Sequence, residues 1–261
     1  MFIEITIFFS KIIIILFFCF RFIIHGWNNN GGSTVNVAIR SAYLQSRNIN
    51  VIVVDWGAGA QTINYVAARN RINAVGPVVA RFIDFMNTLT GAPFANIAVV
   101  GHSLGGHTAG LAGKHVTRGR LQTIVALDPA LPLFSIDRPD ERVTPDDAIY
   151  VEVIHTNAGL LGFDLPIGRA SFYPNFGSSQ PGCLVDVTGN CAHSRAHEFF
   201  AESINTSVGF WGTRCAGYEE ILNEQCTSSG PRELMGGEPS AGTANGVYWL
   251  PTNRNSPFAQ G

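Results

Sequence analysis

The sequence predicts an α/β fold with a mostly parallel central sheet and helices on both faces. Short β-branched runs at 50–54, 97–100 and 123–127 alternate with stretches of helical periodicity, which is the signature of a parallel sheet built from crossover units. The segment Gly101-His102-Ser103-Leu104-Gly105 lies between the strand-like run Ile97-Ala98-Val99-Val100 and a helix-like run from His107. A serine on such a strand-to-helix turn is held in a strained backbone that small neighbours permit, with its hydroxyl lifted above the sheet edge. A length of 261 residues with 46% hydrophobic residues suffices for one large domain and falls short of two ordinary domains with linkers.

Taken in order, residues 1–20 form an anomalous apolar start, and 21–261 form a single domain. The run 12–20 is nine apolar residues between Lys11 and Arg21, far short of the ~20 that span a bilayer. No small-x-small cleavage site follows it, so it reads as a mistaken or truncated start. Residues 21–24 then read as a short buried strand and 27–33 as a Gly/Asn-rich loop. A helix over 34–47 leads into the strand 50–54, and two helical stretches follow, over 61–70 and 75–88. Strand 97–100, helix 106–115 and strands 123–127 and 148–154 complete the alternation. Residues 158–192 are rich in Gly, Pro, Asn and Ser and read as surface loops. A helix over 194–204 follows, with Ala196, Phe199, Phe200 and Ile204 on its apolar face, and the tail after Cys226 reads as loops around one strand, 246–250.

A formal charge of −2 with 14% charged residues leaves no electrostatic footprint for nucleic acid. A small neutral or amphiphilic substrate fits better. The five cysteines form no CxxC pair, which argues against a zinc knuckle or a dithiol redox site. Cys183 with Cys191 and Cys215 with Cys226 read as loop-closing disulfides of a secreted protein, and the sequon Asn205-Thr206-Ser207 agrees with that compartment.

A serine hydroxyl needs a base to take its proton and a carboxylate to orient that base. Asp128 ends the strand 123–127 and precedes Pro129, which places it at the carboxyl edge beside Ser103; a turn cap before proline is its other reading. Three histidines lie downstream. His193 sits in a loop beside Cys191 just before a helix, His155 ends a strand and is the second choice, and His197 follows His193 by one helical turn. A metal reading of His193 and His197 lacks the inner glutamate of an HExxH motif. His102 and His107 read as packing or solvent-contact residues. The tetrahedral oxyanion needs two backbone N–H donors. Leu104, after the serine, supplies one, and Trp27 in His25-Gly26-Trp27 supplies the other, with Gly26 allowing close approach.

These residues together resemble the animal lipase family typified by pancreatic lipase. The resemblance runs from about Arg21 to the carboxyl end through His25-Gly26-Trp27, Val54-Asp55-Trp56, Gly101 to His107, Leu127-Asp128-Pro129-Ala130, Ile154-His155-Thr156, Tyr173-Pro174-Asn175 and Cys191-Ala192-His193-Ser194-Arg195. It implies an α/β-hydrolase fold with Ser103 as nucleophile, Asp128 as acid, His193 as general base and Trp27 and Leu104 as oxyanion donors. It also implies a secreted serine carboxylester hydrolase, in character like the short-lid phospholipase A1 and insect members. The substrate would be a lipid ester at a micelle or membrane surface, with no cofactor, no bound metal and no obligate protein partner. A non-catalytic lipid-binding or yolk-storage protein of the same fold is the alternative. In the resembled family a cysteine-bounded loop forms a lid. Here that loop holds only Leu184 to Asn190, so the site is expected to stand open. Arg169 and Ser171 replace a usual histidine and aspartate, and the acidic set that holds calcium in some relatives is reduced to Asp146 and Asp147. The family's strands ahead of His25 are missing or replaced by the Ile/Phe run, which predicts an unprotected sheet edge.

Overall fold

A computed structural model describes residues 3–9, 19–227 and 230–261. Most of the apolar run 12–20, on which the reading of an altered start rests, lies outside the described residues. The chain order is β1 (Glu4–Phe9), β2 (Phe20–Ile24), α1 (Thr34–Ser46), β3 (Asn50–Asp55), the single turn α2 (Gly57–Ala60), α3 (Tyr65–Thr90), β4 (Ile97–His102), α4 (Leu104–His115), β5 (Thr123–Leu127), β6 (Tyr150–Ile154), β7 (Ala170–Pro174), α5 (Asn190–Ser203), β8 (Phe210–Arg214), α6 (Tyr218–Leu222), β9 (Glu233–Met235) and β10 (Gly246–Leu250). Among the described residues the strands form one sheet in the order β1-β3-β2-β4-β5-β6-β7-β10-β8-β9. The strands from β3 to β10 in that order pair in parallel, with antiparallel strands at both ends. This is the α/β-hydrolase architecture that the sequence predicts.

Alternation along each strand divides the core in two. Phe22 and Ile24 of β2 pack with Ile52, Val54 and Val99 under α3 and α4, while Ile23 packs with Val51, Val100 and Val125 under α1 and α5. Burying both faces of a parallel sheet explains why its strands read as β-branched runs without a polar side. The chain leaves β2 toward β3 on one side and then returns to β4 on the other. The carboxyl ends of β2 and β4 therefore border the crevice where strand order reverses, the usual ligand position in such sheets.

Four expectations need correction. The two predicted helices over 61–70 and 75–88 are one, α3, which continues through Pro77. A proline inside a helix costs about 3 kcal/mol. Close packing against α4 offsets that cost: a Cβ added at Gly76 would lie 2.5 Å from the Leu111 Cβ. The stretch 158–192 is not all loop, because β7 pairs with both β6 and β10 and all five of its residues are buried. Its sequence, Ala-Ser-Phe-Tyr-Pro, has no alternation and ends in proline, so pattern alone misses it. Strands β8 and β9 were likewise not expected; they pair with each other, and β8 pairs with β10. Finally, β3 does not present a bare edge. Glu4 to Phe9 pairs antiparallel along it, from Glu4 opposite Asp55 to Phe9 opposite Asn50, because the early Ile/Phe-rich residues have high strand propensity.

Candidate active site

Ser103 stands between β4 and α4 with φ 59° and ψ −124°. A non-glycine residue there costs on the order of 1–3 kcal/mol, and such strain persists only where its surroundings enforce it. The Ser103 N–H donates to Leu127 O at 3.0 Å, which ties the turn to the end of β5. Its neighbour Leu104 is the first residue of α4, so its N–H has no partner within the helix.

The loop after β2 presses against this turn. A Cβ placed on Gly26 would come within 2.7 Å of the Ser103 Cβ and 2.9 Å of His102 O, so only glycine lets the two backbones approach so closely. The next amide, of Trp27, takes part in no hydrogen bond within the described chain. Trp27 is held at its indole end instead. Its Nε1–H donates to Thr62 O at 2.7 Å, and its ring meets Tyr65 edge-on at 5.2 Å.

Asp128 follows β5 directly, fully buried and with φ 41°. Its Oδ1 accepts from the N–H groups of Thr156 (2.8 Å) and Asn157 (3.0 Å), at the carboxyl end of β6. Its Oδ2 lies 2.5 Å from His193 Nδ1. Three donors around the buried carboxylate occupy both of its oxygens and fix its plane. With Asp128 as acceptor, His193 donates through Nδ1.

His193 does not lie in a loop, as its position beside Cys191 suggested, but within the first turn of α5. The helix starts earlier because Asp186 caps it from outside, its carboxylate accepting from Cys191 N (3.2 Å) and Ala192 N (2.7 Å). An acid there satisfies orphan N–H groups and the positive helix end together. The Cys183–Cys191 disulfide closes the same segment, and Cys215 is bonded to Cys226. Sequence reasoning missed Asp186; its spacing four residues before the helix start is the signal that could have found it.

Four further histidines, His102, His107, His155 and His197, are buried. His155 is buried, stacked on Tyr173 at 4.2 Å, and its Nδ1 donates to Phe163 O at 2.8 Å. Burial pushes its pKa down to about 4. His102 is also buried, its Nε2 hydrogen-bonded to His193 O at 3.0 Å and its ring 4.5 Å from that of His193, so it braces the turn carrying His193. Burial, with His193 and His197 nearby, holds its pKa well below the ordinary value. His107 bonds through Nε2 to Ala130 O at 2.7 Å, and its pKa falls to about 3 by burial. His197 packs edge-on to His102 at 5.3 Å.

Ser103, His193 and His102 line one cavity of about 290 Å³ together with Trp27, Tyr65 and Leu161. The short disulfide loop leaves Leu184, Val185 and Val187 in solvent at 74%, 90% and 84% exposure, and none of the three lines this cavity. Two groups of side chains among the described residues have the spacing of metal ligands, but each contains two cysteines already joined in a disulfide and so offers no thiolate. Asp147 is ion-paired with Lys114 Nζ at 2.5 Å and accepts a hydrogen bond from Thr144 Oγ1 at 2.7 Å. No helix among the described residues is long and apolar enough to cross a membrane.

The family model described as Lipase matches residues 19–258. The chain is 34% identical over 220 residues to lipase member H of Mus musculus, a match that covers 82% of this chain and 48% of that protein. It is 38% identical over 213 residues to pancreatic lipase-related protein 2 of Cavia porcellus, covering 79% and 48%. Against pancreatic triacylglycerol lipase of Sus scrofa it is 35% identical over 269 aligned positions, covering 92% and 59%. The chain thus spans about half the length of these relatives.

Proposed function

We propose, since this chain belongs to the lipase family, that it is a secreted carboxylester hydrolase that cleaves lipid esters through an acyl-enzyme, with residues 21–261 as its single lipase domain. Ser103 Oγ attacks the ester carbonyl carbon while His193 Nε2 takes the hydroxyl proton. The carbonyl oxygen becomes an oxyanion held by the Leu104 and Trp27 N–H groups. Collapse breaks the ester C–O bond, and His193 returns the proton to the departing alcohol. Water then repeats the sequence on the acyl-serine and frees the fatty acid.

The observation that carries this reading is the hydrogen bond from His193 Nδ1 to buried Asp128 beside a strained serine in the same cavity. An orienting carboxylate has little value on an ordinary surface histidine, whereas it sets the tautomer a base needs. Trp27, Tyr65 and Leu161 in the cavity lining favour an amphiphilic substrate presented at a micelle or membrane surface, with phospholipid or triglyceride as the ester. The two disulfides support an extracellular compartment.

A fluorophosphonate probe tests the assignment. The protein is expected to be labelled at Ser103 and to release fatty acid from phosphatidylcholine or triglyceride, and Ser103→Ala is expected to do neither. Folded protein that takes up no probe would instead mark a lipid binder without catalysis.

A further inference from the structure

We infer that His25 is a positioning residue for ester hydrolysis, holding the Gly26–Trp27 peptide so that the Trp27 N–H points at the developing oxyanion. This rests on the preceding assignment of Ser103 as nucleophile.

A trans peptide group is planar, with its C=O and N–H directed oppositely. Among the described residues the cis peptides lie elsewhere, at Glu238-Pro239 and Ser256-Pro257. Whatever anchors Gly26 O therefore aims the Trp27 N–H. The anchor is the ring of His25, whose Nδ1 lies 2.9 Å from Gly26 O. A carbonyl can only accept, so the anchor works only if Nδ1 carries the proton.

The surroundings of the ring place it there. His25 is fully buried, and burial lowers its pKa, so the ring is neutral and has one proton for two nitrogens. At the other nitrogen, the Trp56 N–H points at Nε2 from 3.1 Å and needs an acceptor. Asp55 Oδ1 lies farther from the same nitrogen, at 3.3 Å, and also accepts from the Gly57 N–H at 2.7 Å. Putting the proton on Nε2 would leave the buried Trp56 N–H without an acceptor, a cost of about 1–3 kcal/mol. Trp56 secures the rest of the frame. Its indole stacks on the imidazole at 5.5 Å with 7° between planes, and its Nε1–H donates to His25 O at 2.7 Å. The carbonyl of His25 and the carbonyl of Gly26 are thus both tied into the core, and the Trp27 amide is left over for the cavity.

The test has a spectroscopic and a kinetic arm. In wild-type protein, long-range ¹H–¹⁵N spectra of the His25 ring, assigned by loss of its signals in His25→Asn, are expected to show a protonated Nδ1 and an unprotonated Nε2. The reverse tautomer overturns the inference whether or not the protein is an esterase. In the kinetic arm, His25→Phe keeps a ring against Trp56 but removes the donor. It should lose about 10²-fold in kcat, the scale of one oxyanion donor, with KM within threefold of wild type and fluorophosphonate labelling slowed in parallel. His25→Asn, whose side-chain amide can donate from the Nδ1 position, should recover much of that loss. Folded His25→Phe with kcat within threefold of wild type overturns the inference. If His25→Phe fails to fold, the wild-type tautomer decides alone. Wild-type protein that is never labelled points to failure of the hydrolase assignment, which the tautomer measurement distinguishes.

Discussion

Replacing Asp128 by Asn is the most demanding perturbation of the candidate site, because it alters one atom in a fully buried group with three hydrogen-bond donors. The amide oxygen of Asn can still accept from Thr156 and Asn157, whose N–H groups are fixed at the end of β6, so the new NH₂ is turned toward His193. That NH₂ can only donate. His193 Nδ1 must then become an acceptor and Nε2 must carry the proton, which removes the lone pair that would deprotonate Ser103. A wrong-tautomer replacement of this kind is worth ~10⁴ in turnover, or about 5 kcal/mol of transition-state stabilisation. The fold should survive, since every buried amide around position 128 keeps a partner. The assay is kcat for a soluble short-chain ester beside the rate of fluorophosphonate labelling, with a thermal melt to verify folding. A folded Asp128→Asn protein with kcat within tenfold of wild type would refute the orienting role.

Gly26→Ala drives a methyl group to 2.7 Å from the Ser103 Cβ; kcat should fall at least 10²-fold as the Trp27 amide is displaced, which steady-state kinetics on folded protein would read. Exchanging Cys183 and Cys191 together for Ala opens a loop of sequence separation 8. The loss of closure corresponds to ~2.5 kcal/mol and should appear as a melting temperature lower by about 5–10 °C. Glu152 is buried in β6, where it accepts from Tyr150 OH and Gly236 N–H, and burial raises its pKa to about 7. The folded state therefore holds a proton between about pH 4.5 and 7 that the unfolded chain has released, so this group makes stability fall as pH rises through that window and level off above it. Glu152→Gln should flatten that part of the profile, measured as melting temperature from pH 4.5 to 8; an unchanged slope would count against it.

The parallel core of the fold was legible because burial on both faces forces β-branched runs, and β5 has the bounds its sequence suggests. Segments held by tertiary context were not. Pro77 argues locally for a break, and only the approach of α4 at Gly76 overrules it. In β7, Ser171 and Pro174 disguise a strand whose neighbours supply the burial. Around the site, the positions of Ser103 and Asp128 were legible from sequence because each follows a strand directly, and that of Trp27 because it lies in the short loop just after β2. The environment of His193 could not, since the Asp186 cap that extends α5 back to Asn190 is a contact between loop and helix with no periodic trace. The roles of His25 and His102 were equally hidden, because they depend on which ring nitrogen faces which backbone atom.

The two loops that converge on Ser103 leave strands that lie side by side, with Ile24 opposite Gly101. Their separation is therefore a rung of a hydrogen-bonded ladder, fixed near 4.8 Å by peptide chemistry common to every sequence. Exchanging residues on the outer faces of α1, α3 or α5 leaves that spacing untouched, while a slip of one residue between β2 and β4 would shift the loops against each other and turn every side chain of one strand to the opposite face. Drift at the exterior is thus cheap for this molecule, and its chemistry is vulnerable chiefly to changes of alignment between two inner strands.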